Sequence, residues 1–150
     1  MIADPRIHAL LLCGAVDRSG PPGHLDLLGI FTAVHGRSFP IELRRFHAFV
    51  RMGPADGGDP ARSTRGAKPG RTRGSTENAG LVILECRSGE VVASGRTSLV
   101  LDDADRTKDF VVQIGPLWIP RAGDYEVRLL LDGKPAATTR IEALGLDPRL

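Results

Sequence analysis

The chain of 150 residues is 41% hydrophobic and 25% charged, a balance that excludes wholesale disorder and suits one globular domain. No run approaches the roughly 20 apolar residues of a membrane-spanning helix, so no membrane role is expected. Lys and Arg number 20 against 18 Asp and Glu, and the resulting +2 is too small for the whole surface to attract polyanions. Gly 18 and Pro 11 favour a turn-rich fold over a helical bundle.

In chain order, residues 7–16 form an apolar run, closed by the turn formers of 17–23. Residues 25–34 form a second, so the pair reads as an antiparallel hairpin with a long loop. The start is a poor leader: Asp4 and Arg6 precede a short apolar stretch broken by His8, and no small-residue cleavage site follows. Bulky leucines before Cys13 also argue against lipidation. A cytoplasmic location is therefore expected, with Cys13 and Cys86, each in an apolar run, as buried reduced thiols.

Residues 42–52 fit two patterns. Leu43, Phe46 and Val50 have helical spacing, whereas a strand would put Phe46, Ala48, Val50 and Met52 on one face and His47, Phe49 and Arg51 on the other. Strand is favoured, because Phe and Val suit a pleated surface and the neighbouring segments are strands. Residues 53–80 contain seven Gly, three Pro and no large apolar side chain. Burial cannot offset the entropy of ordering such a segment, so it is expected as a long mobile insertion. Its five bases and three acids hold the whole formal charge excess of the chain.

Strands are expected again at 81–86 and 91–101, with Ser94-Gly95 as a bend or bulge. An acidic connection at 102–109 precedes an alternating strand at 110–114, and the prolines of 115–120 turn the chain. Tyr125, Val127, Leu129 and Leu131 then alternate with Glu126, Arg128 and Leu130. Asp132-Gly133 is a strong two-residue hairpin signal, and 136–144 is the return strand. The sum is an all-β, single-domain, immunoglobulin-like β-sandwich of about seven to nine antiparallel strands. Tyr125, just past a glycine turn, is placed to bond back to the backbone like the tyrosine corner of such sandwiches, and Val127 replaces the cysteine of antibody domains.

Several segments carry a resemblance: Leu12-Cys13, Asp17, Gly20, Leu28-Gly29-Ile30-Phe31, Ser38-Phe39-Pro40, Gly123-Asp124-Tyr125 and Asp132-Gly133. Over most of residues 12–143 the chain resembles a family of small, uncharacterised bacterial proteins of unknown function with an immunoglobulin-like β-sandwich. It departs from that pattern at 53–80, where a short hairpin would be expected. The resemblance supports the fold and carries over no activity, cofactor or catalytic residue.

The residues themselves point away from catalysis. The four histidines (His8, His24, His35, His47) are scattered, no G-x-S-x-G elbow occurs, and both thiols lie where apolar neighbours would keep them protonated. No H-x-H, C-x-x-C or H-E-x-x-H spacing suggests a metal or other cofactor. Asp102, Asp103, Asp105 and Asp109 could hold Ca²⁺ through oxygen, but Arg106 and Lys108 stand among them as counterions and a solvated turn is the better reading. The chain is thus expected to be a non-enzymatic binding or accessory module, its partner another protein or a second copy, reached through a sheet face, an edge strand or a loop end. Trp118, the only tryptophan, is either an interface anchor or a plug in one end of the sandwich, and plugging is the commoner use of so large a ring. The alternative function is weak, non-specific polyanion or nucleic-acid binding through Arg62, Arg65, Lys68, Arg71 and Arg73, which lack any aromatic neighbour for base stacking.

Overall fold

The computed structural model describes residues 1–54, 75–101 and 107–146. Strands β1 (Ile7–Asp17), β2 (Asp26–Ile30), β5 (Phe46–Met52) and β8 (Lys108–Ile114) form an antiparallel sheet in the order β2-β1-β5-β8. A second sheet takes the order β3-β11-β10-β6-β7, from β3 (Ala33–Gly36), β11 (Lys134–Gly145), β10 (Gly123–Leu131), β6 (Ser75–Glu85) and β7 (Val91–Leu101). A ribbon of β4 (Ile41–Leu43) and β9 (Leu117–Ile119) completes the set, and no helix occurs among the described residues.

The core follows from the period-two alternation of strand side chains. Tyr125, Val127, Leu129 and Leu131 of β10 are buried, as are Phe46, Ala48, Val50 and Met52 of β5. They meet in one apolar cluster with Leu10, Leu12, Leu81, Ile83, Val112, Ile114 and Ile141. The strand reading of 42–52 therefore holds, but the segment is two strands, β4 and β5, in different sheets. The expected hairpin of β1 with β2 forms, and its second apolar run then divides: β2 ends at Ile30, and β3 crosses to the other sheet.

Some expectations are corrected. The described residues hold eleven strands rather than seven to nine, because β4 and β9 have only three residues each, too short to stand out from turn sequence. One pairing, β11 with β3, is parallel, which no local pattern encodes. Residues 75–80 are not part of a loop: they open β6, pairing with β7 throughout and with β10 from Ala79. Ladder bonds to β7 and then β10 hold this stretch, where Ala79 is the one buried residue among 77–80, and an Arg6–Glu77 ion pair of 3.1 Å ties it to the start of the chain. The irregularity in β6–β7 lies between Ile83 and Leu84, whereas Ser94 and Gly95 pair regularly. Cys13 is buried as expected, but Cys86 is exposed, because the apolar run ends in the turn after β6.

Two turns match their sequence signals. Asp132 and Gly133 both take positive φ (49° and 79°), the two-residue geometry that joins β10 to β11. Tyr125 is fully buried, and its hydroxyl donates to the Arg121 carbonyl at 2.7 Å. Beside it lies the buried carboxylate of Glu85, which the Arg121 guanidinium reaches at 2.6 Å. Hydrogen bonds from Arg121, then Ser88, hold that carboxyl below the usual glutamate range. The tyrosine corner is thus backed by a charge-assisted bond that ties the β9–β10 turn to the end of β6.

Two outcomes follow for this corner. Tyr125→Phe should lower the unfolding free energy by about 1–2 kcal/mol in a urea titration, with little change in the slope, since only one hydroxyl is lost. A depressed native pKa means that the Glu85 contribution is complete above the usual glutamate range of about 4.3 and fades as pH falls through the native value. Urea midpoints measured from about pH 7 down to 3 should fall more steeply for the wild type than for Glu85→Gln.

Candidate interaction surface

The two sheets turn different outer faces to solvent. On the five-stranded sheet, Glu126 and Arg128 of β10 lie across from Arg140 and Thr138 of β11, and Glu126 pairs with Arg128 at 3.2 Å. Leu84 and Val82 of β6 share this face, opposite Glu126 and Arg128, so it mixes charged and apolar side chains. An open groove of about 700 Å³ crosses it where Gly80 lacks a side chain, between Arg96, Ser98, Leu130 and Asp132.

The outer face of the four-stranded sheet mixes apolar side chains with a few polar ones. Cross-strand register aligns Ile30, Cys13, His47 and Gln113 in one row, and Leu11, Phe49 and Val111 in the next. Cys13 and Phe49 are buried, whereas Leu11 (38% exposed), Leu28 (52%) and Ile30 (54%) stand in solvent. Arg51 lies over the Phe49 ring, 5.6 Å from its centroid, and holds Asp109 on β8 through Nε at 2.8 Å and Nη2 at 3.0 Å. Phe49, expected on the outer face, is there but is sealed by its neighbours.

Cys13 and His47 are cross-strand neighbours, a pairing that scattered histidines in the sequence did not reveal. Burial pushes the Cys13 thiol above its ordinary value, so it is not a thiolate at neutral pH. His47 Nδ1 is buried without a hydrogen-bond partner, and the row continues to Gln113 rather than to a carboxylate. The pair has the residue types of a nucleophile and base, with the thiol held in its protonated form by burial.

The second exposed feature is the β4–β9 ribbon. Ile41 lies opposite Ile119, Glu42 opposite Trp118, and Leu43 opposite Leu117. Leu117 and Ile119 are fully buried, so the pleat turns Trp118 outward, where 51% of it is exposed. The expectation that Trp118 plugs the sandwich is therefore corrected: its two neighbours do so. The backbone is brought in by Gly115, at φ 150°, where a Cβ would collide with the Arg44 carbonyl oxygen.

Other sequence candidates do not come together. Arg62, Arg65, Lys68, Arg71 and Arg73 lie outside the described residues, as do Asp102, Asp103 and Asp105. Asp109 is committed to Arg51. Among the described residues no group of three or more His, Cys, Asp or Glu side chains converges, and no helix is long and apolar enough to cross a membrane.

A family model, described as a family of unknown function (DUF6941), matches residues 8–143, nearly the whole chain. The chain belongs to the DUF6941 family. No curated protein gives a significant match to this DUF6941 chain. Among solved structures it is similar to a glycosyl hydrolase family 2 member from Bacteroides cellulosilyticus DSM 14838, with a TM-score of 0.40 and 15% identity over 75% of this chain. The DUF6941 chain spans only 15% of that protein.

The outer face of the four-stranded sheet makes a direct prediction. Phe49→Ala should cost roughly 3 kcal/mol in urea unfolding, because it opens a cavity. Ile30→Ser, on the same face but in solvent, should shift stability by no more than about 0.5 kcal/mol.

Proposed function

We propose that this chain is a non-catalytic binding module that holds a partner protein through the β4–β9 ribbon. The observation that carries this reading is Trp118: a large aromatic ring kept half in solvent on a strand whose other two side chains are locked in the core. Tryptophan is enriched among the few residues that dominate interface energies. The buried neighbours Leu117 and Ile119 fix the backbone that carries Trp118, so ordering that backbone adds no cost on binding.

The test compares proteins retained by the immobilised wild type, by Trp118→Ser, and by Arg128→Ser on the charged opposite face. Trp118→Ser should lose specific partners, by about tenfold or more in recovery if the ring is worth about 1.4 kcal/mol or more, while Arg128→Ser keeps them. Deleting residues 57–73, which spares β6 from Ser75, should leave capture and its salt dependence unchanged. Capture that survives Trp118→Ser would refute the reading. Steeply salt-dependent binding to nucleic acid that vanishes with the deletion would favour the basic residues 62–73 instead.

A further inference from the structure

We infer that Trp118 and Glu42 together form a receptor for an arginine side chain presented by the partner, a step that rests on the binding-module reading and names the chemistry it selects. The two residues are directly opposed across β4 and β9 and lie on the same outward face. Opposed side chains in such a ladder start about 5 Å apart at Cβ. Both are exposed. Among the described residues Glu42 makes no hydrogen bond or ion pair, and no cation or ring lies against Trp118.

The same protein shows what completes such a pair. On the four-stranded sheet, Arg51 lays its guanidinium over the Phe49 ring and turns its edge to the carboxylate of Asp109 on the adjacent strand. Ring, guanidinium and carboxylate form one unit. The ribbon holds two of the three parts, an aromatic ring and a carboxylate on neighbouring strands, directly opposed here where Phe49 and Asp109 are diagonal, and without the cation. A planar guanidinium can stack on the indole and present its N–H edge to the carboxylate at once. A lysine ammonium offers only a point charge, and an acidic or purely apolar side chain would leave Glu42 repelled or unmatched. The partner segment is therefore basic and carries arginine.

Because Trp118 is the only tryptophan, its emission reports occupancy of this site directly. The full-length protein is titrated at low salt with three short capped peptides that differ only in carrying arginine, lysine or glutamate. The arginine peptide should give a saturable change, the lysine peptide a weaker one and the glutamate peptide none. Glu42→Gln, which keeps the shape and removes the charge, should weaken the arginine peptide by about fivefold. Equal response to arginine and glutamate peptides, or Glu42→Gln titrating like wild type, would overturn the inference. Emission that depends on protein concentration without peptide would also overturn it, by showing that a second copy is the occupant. If Glu42→Gln has no effect while Trp118→Ser still abolishes partner capture, the arginine inference falls and the binding-module reading stands. If Trp118→Ser captures the same partners as the wild type, the reading itself falls.

Discussion

A strand cannot bury consecutive side chains on one face, and this constraint settles what the molecule shows to its surroundings. In β9 it acts on only three residues. Leu117 and Ile119 are both fully enclosed, so the backbone between them must carry Trp118 outward. The commitment is reinforced from both sides: Ile41 and Leu43 lie opposite the two buried residues, and Gly115 brings the chain past Arg44 where a Cβ would not fit. Rotating the indole inward would expose two branched aliphatic side chains and break the register with β4. The large apolar ring is thus displaced by smaller ones that fit the available space.

The same parity rule accounts for much of the rest. It gives β10 four buried residues in alternation and packs the inward side of β5 against them. It also divides the two outer surfaces. On the five-stranded sheet the outward positions of β10 and β11 include Glu126, Arg128, Arg140 and Glu142, which suit water, while Val82, Leu84 and Leu130 share that face. On the four-stranded sheet Leu11, Phe49 and Val111 form an apolar outward row, with Leu28 and Ile30 exposed at the β2 edge. Arg51 closes over Phe49 and binds Asp109, so part of that face is sealed by the chain itself. The ribbon at Glu42 and Trp118 has no such closure. The aromatic–carboxylate arrangement is closed by the chain's own arginine on the four-stranded sheet and open on the ribbon.

How much was legible in the sequence depended on the range over which each signal acts. The inward set of β5, the alternation of β10, the Asp132-Gly133 turn and the Tyr125 corner are local patterns, and each appears in the fold. The opening of β6 was hidden because its residues, Ser75 to Gly80, offer no large apolar side chain for a pattern search; backbone pairing with neighbouring strands holds them. The parallel contact of β3 with β11 joins segments about 110 residues apart, and nothing in either segment announces it. Glu42 and Trp118 were unremarkable as separate residues, 76 positions apart, and become a pair only through the β4–β9 register. Composition favoured a buried Trp118 because large rings are usually enclosed, and the parity of a three-residue strand overrode that tendency.

The central claim is that the pleat of β9 holds the Trp118 ring in water in the native protein. Quenching of native tryptophan emission by a neutral quencher such as acrylamide tests it most directly, since a single ring gives the whole signal. The account predicts emission at the red, solvent-exposed end of the range and quenching about half as efficient as in the urea-unfolded chain, in line with a ring that is 51% exposed. Blue-shifted emission with quenching many times weaker than in the unfolded chain would place the ring in the core and contradict it.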